Sequence, residues 1–127
     1  MNAAIVVGSA PCYKADLEAA LEAYPFAYII TVNGACAAVE YADAIVAGHT
    51  NKAEIFVKAR REAFPKGKPF EVFANWARPG REPKVLYPSV TRWFDGTMST
   101  GATSAAKAAR MALHLGYEPV ILAGCPP

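Results

Sequence analysis

A chain of 127 residues is long enough for one domain and too short for two ordinary ones, so residues 1–127 are read as a single unit. Its 54% hydrophobic and 11% aromatic content excludes a disordered tail, and a domain of this size buries roughly two thirds of its unfolded-chain surface without a disulfide staple. Thirteen basic against eleven acidic residues leave a net charge of +2, too near neutrality to call for a nucleic-acid or membrane partner.

The N-terminal run through Val7 has no basic segment and only about five consecutive apolar residues, too few for a signal peptide or a span. Ala4 to Gly8 reads instead as a β-branched strand entering the turn Gly8-Ser9-Ala10-Pro11. Ala15 to Tyr24 carries Leu17, Ala20, Leu21 and Tyr24 at helical spacing, and Pro25 stops it. Ala27 to Asn33 is a second strand, apolar on consecutive positions as a strand covered on both faces should be. Gly34 to Glu40 predicts a short helix or turn, and Asp43 to Gly48 a third strand ending at His49.

Asn51 followed by Glu54 resembles a capping box, and Ala53, Phe56, Val57, Arg60 and Phe64 trace a helix that Pro65 closes. Phe70 to Trp76 is a fourth strand. From Ala77 to Gly96, Pro79, Gly80, Pro83 and Pro88 surround Val85-Leu86-Tyr87, which predicts an excursion with one short strand. Ser104 to Leu115 is the best helix, with a small-residue stripe at Ala105, Ala108, Ala109, Ala112 and Gly116 that lets its backbone lie close on a sheet. Pro119 to Gly124 is the last strand. Strand and helix alternate, which argues for right-handed crossovers. The expected fold is α/β and Rossmann-like, a mostly parallel sheet of five to six strands with helices on both faces.

In such a sheet, ligands bind beyond the carboxyl ends of the strands. Gly8–Pro11, Asn33-Gly34, Gly48-His49-Thr50 and Gly124-Cys125-Pro126 all arrive there. Gly96 to Thr103 has P-loop glycine spacing, but Ala102 fills the lysine position, so a Walker site is rejected. The first turn also fails the dinucleotide glycine pattern. What remains is a helix start rich in hydroxyls, suited either to an anion or to simple capping. His49 is the candidate general base, and a packing or capping residue is the plainer alternative. Arg78, Arg81, Lys84 and Arg92 are solvated loop charges or a lid over phosphates. Trp76, Tyr87, Trp93 and Phe94 are packing residues before they are a base-stacking surface. His114 suits the end of its helix. Cys12, Cys36 and Cys125 lack C-x-x-C spacing, and with two histidines they make no ordinary zinc site; reduced thiols in a cytoplasmic protein are expected.

Three stretches together carry a family resemblance. They are Ile5-Val6-Val7-Gly8-Ser9-Ala10-Pro11, Ile30-Thr31-Val32-Asn33-Gly34-Ala35, and Ser99-Thr100-Gly101-Ala102 with the helix and strand from Ala108 to Gly124. Their pattern resembles two related Rossmann-like groups, the MptE-like 6-hydroxymethylpterin pyrophosphokinase domain and the bacterial α-2,3-sialyltransferases. The resemblance implies a nucleotide held by Gly8, Ser9, Pro11, Asn33, Thr100 and Gly101, with Ser99 in the same turn. Two departures bear on chemistry. The acidic residue after the last strand falls at Pro126, and the aspartate after the third falls at His49, so a divalent metal would lose both ligands. The expected function is a nucleotide- or sugar-nucleotide-dependent transferase, moving a glycosyl or pyrophosphoryl group, with His49 catalytic and the cofactor unknown. The alternative is a non-catalytic ligand-binding or assembly domain that keeps only the scaffold. A small nucleotide or phosphate ligand, no nucleic acid, no membrane and a homo-oligomer are the expected partner pattern.

Overall fold

A computed structural model describes residues 2–95 and 103–125. Its strands are β1 (Ala4–Val7), β2 (Tyr28–Val32), β3 (Ala44–Ala47), β4 (Glu71–Trp76), β5 (Arg92–Asp95) and β6 (Val120–Ala123). Its α-helices are α1 (Tyr13–Ala23), α2 (Ala53–Ala63) and α3 (Ser104–His114), with short 3-10 helices at Asn33–Ala37 and Thr50–Lys52. None of the described helices is long and apolar enough to cross a membrane.

All six strands form one parallel sheet in the order β5-β4-β3-β2-β1-β6. The chain steps one way from β1 to β5, then returns through α3 to place β6 on the far side of β1. That path sets the two faces. Ile5, Val7 and Ile29 pack against Leu17 and Ala20 of α1, while Ile45 and Val72 pack against Val57 of α2. The alternate residues Ala4, Val6, Ile30, Val32, Val46 and Phe73 meet Ala108, Met111 and Ala112 of α3 on the other face. Strands covered on both sides have no solvent position to spend on polar residues, which is why β1 and β3 read as unbroken apolar runs. Every residue of those two strands is fully buried. Each buried Ile or Val contributes roughly 1.5–3 kcal/mol relative to exposure.

The fold class expected from the sequence is therefore the fold found. Local details differ in two places. The one short strand expected between Ala77 and Gly96 is present, but at Arg92–Asp95; Val85 and Leu86 are 94% and 70% exposed and form no strand. The capping box also fails to form, because Glu54 reaches out of its helix to accept from Ser89 N and Ser89 Oγ at 3.0 and 2.6 Å. This clamp folds the 77–91 excursion back over α2.

Candidate functional site

The carboxyl ends of β1, β2 and β3 meet the first turn of α3. Gly8 closes β1: its N–H donates to Ala123 O at 2.8 Å, and Ala10 N–H donates to Gly124 O at 2.9 Å. A Cβ at position 8 would stand 2.5 Å from Gly124 O, so the turn demands glycine. At Gly48 the crowding is greater, since any Cβ there would collide with the Ser104 side chain. α3 therefore begins in direct contact with the end of β3. A second tether is Lys107, whose ammonium donates to Gly48 O at 3.3 Å.

Asn33 follows β2 with φ of 52°, the left-handed conformation that asparagine tolerates better than most residues. Its Oδ1 accepts from Gly48 N–H at 2.9 Å, which ties the end of β2 to the end of β3. The bond also fixes the amide's orientation, because only the oxygen can face a donor; the NH2 group is the end left for other partners. Thr103 caps α3, its Oγ1 accepting from Ala106 N–H at 3.2 Å. The amides of Ser104 and Ala105, the first two of the helix, have no carbonyl within the helix to bond. No acidic residue stands in that first turn.

These groups surround a cavity of about 210 Å³. Gly8 and Ser9 enter from the first turn, Asn33 from β2, Thr103 to Ala105 from α3, and Cys125 from the segment after β6. Burial raises the pKa of Cys125, whose Sγ lies 3.5 Å from Val6 O. At the exposed Cys12, a hydrogen bond to Asp16 raises the thiol pKa.

The structure thus brings Gly8, Ser9 and Asn33 to one cavity. Pro11 is exposed and is not among its lining residues. Ser99, Thr100 and Gly101 lie outside the described residues. His49 is exposed and lines a neighbouring hollow of about 370 Å³ with Thr50, Asn75, Trp76, Tyr87 and Lys107. Gly48, which lines this hollow, packs against Ser104 of the first cavity. Sequence reasoning weighed the helix start at Thr103 and Ser104 as an anion site or as simple caps, and did not single out Lys107. The signal for Lys107 was its place: a cation early in a helix opposes the dipole, and so needs a local reason.

A larger hollow of about 510 Å³ lies beside Arg60, Lys68 and Phe70, at the amino ends of the strands. Two of its cations are already committed, Arg60 to three carbonyls and Lys68 to Asp43, and Arg61 is the third on its lining. It offers no comparable set of open donors. Among the described residues, no three His, Cys, Asp or Glu side chains cluster as metal ligands would. Comparison of the chain with family models, curated proteins and solved structures finds no match.

Proposed function

We propose that this domain binds a nucleotide or sugar nucleotide, with a phosphate at the start of α3, and serves a glycosyl or pyrophosphoryl transfer. The observation that carries the reading is the convergence of Gly8, Asn33 and the α3 start on one cavity. Helix amides without helix partners and a positive dipole end concentrate donors there, and none of the cavity's lining residues is acidic. The resemblance of the Gly8–Pro11 and Asn33 segments to nucleotide-binding Rossmann domains supports the same reading. Size refines it. A cavity of about 210 Å³ is smaller than the roughly 300–1,000 Å³ of whole-ligand sites, so it suits phosphate and ribose with the base outside. His49, in the adjacent hollow, is the group within reach for general-base or charge-stabilising work.

The test is a thermal-shift screen with CMP, CDP, ATP and sugar nucleotides. A ligand at a hundred times its dissociation constant stabilises the fold by about 2.7 kcal/mol. Ala105→Asp places a carboxylate where the phosphate would sit, at a helix position that favours acids by roughly 0.3–1 kcal/mol. We expect that variant to keep its melting temperature and lose the nucleotide shift. His49→Ala should keep the shift and abolish transfer. A flat screen across all four ligand types would leave the scaffold-only reading in its place.

A further inference from the structure

We propose that the hollow beyond the ends of β3 and β4 is a second binding site, for a small organic anion carried on a ring. It extends the nucleotide reading by giving the class of a second substrate, although binding at this hollow does not depend on that reading.

The hollow's volume, about 370 Å³, lies in the lower part of the range for small-ligand sites. Its polar lining is donor-rich: Lys107, His49, Asn51, Asn75 and Trp76, with no carboxylate. Trp76 is the telling member. Its Nε1 is buried and, among the described residues, has no hydrogen-bond partner. An indole N–H is a donor only, and leaving such a group unpaired costs about 1–3 kcal/mol. A ligand oxygen that reaches it recovers that cost. Lys107 supplies the charge. Among the described residues no carboxylate pairs with it, and its bond to Gly48 O uses one of three ammonium hydrogens.

The walls are fixed before any ligand arrives. Trp76 packs edge-on to Trp93, with ring centroids 6.5 Å apart at 75°. Thr50 Oγ1 donates to Asn75 O, which holds the end of β4 to the start of the segment after β3. Tyr87 sits on the excursion that the Glu54–Ser89 clamp secures. Two aromatic side chains beside a cation suit a ring with one anionic substituent, and such preorganisation lowers the cost of ordering on binding.

Trp93→Phe leaves Trp76 as the sole tryptophan and keeps a ring beside it. Emission of this variant would be titrated with glucose 6-phosphate and with glucuronate, which separate a phosphate from a carboxylate headgroup. Glucose and inorganic phosphate serve as the ring alone and the anion alone. We expect a saturable change with at least one ring-borne anion, tighter than with either part. Lys107→Met should weaken it about tenfold or more, and Lys107→Arg should restore most of it. No saturable change with either anion would overturn the proposal. So would equal binding of glucose, or full affinity in Lys107→Met. Added CMP should leave the titration unshifted; competition would make the two hollows one site and sink the second. If nucleotides fail to bind while a sugar anion titrates normally, only the nucleotide reading falls.

Discussion

Arg60 occupies an inward position of α2 where the helical pattern would accept an apolar residue, and it is 1% exposed. Its Nη1 donates to Cys36 O and Val39 O at 2.8 and 2.6 Å, and its Nη2 donates to Glu40 O at 2.7 Å. The guanidinium also lies over the rings of Phe64 and Phe70. It closes the open carbonyls of the tight turn after β2, which helps hold the chain segment that begins at Asn33. Arg60→Met keeps much of the volume and strands all three carbonyls, so a loss on the order of 3 kcal/mol is expected in urea unfolding. Arg60→Lys retains the charge but cannot fork to three acceptors, and should recover only part of that loss. Asn33 has a different double role. Asn33→Ala forfeits the bond to Gly48 N–H and forces alanine into a left-handed conformation, about 1–3 kcal/mol together. Asn33→Gly relieves the backbone term. Nucleotide affinity in the glycine variant, measured against its own unfolding midpoint, therefore reports the amide itself.

At the level of elements, α3 does two jobs: it covers one face of the sheet and delivers its first turn to the site. Ala108 and Ala112 are fully buried, so the helix lies close because its stripe is small. Ala108→Leu should cost roughly 1–3 kcal/mol by overpacking, read as a lower denaturant midpoint. It should also lift Ser104 off Gly48, and so weaken ligand binding beyond what stability loss explains. The stripe was legible in part: Ala108 and Ala112 face the sheet as expected, but Met111 shares that face, Ala105 and Ala109 are half-buried and Gly116 is exposed. β5 was not. Arg-Trp-Phe-Asp is a short edge strand with charge at both ends, and its neighbour Val85-Leu86 offers a more apolar run that finds no packing partner. Glu54 misled for a related reason. Its true partner, Ser89, is distant in sequence, and local pattern favours the nearer N–H.

For the whole molecule, alternating apolar runs and helical stretches sufficed for the α/β class, because two-sided burial writes itself into consecutive residues of β1 to β3. The site was half legible. Gly8 and Asn33 stand out as a glycine and an amide directly after buried strands. Lys107 and Trp76 acquire meaning only through the return of α3 and the pairing of β4, neither of which local sequence encodes.

That return has a consequence for how the molecule comes into being. Ala4 lies beside Val120, and Val7 beside Ala123, so one edge of β1 is closed by β6, the described strand farthest from it along the chain. At ribosomal speeds of about 5–20 residues per second, that edge waits on the order of ten seconds for its partner. Ala-Ile-Val-Val carries no charge and no proline to deter another chain from pairing there first. The hazard of misassembly is thus greatest before β6 is in place, so the yield of folded protein should fall with crowding and rising temperature during synthesis.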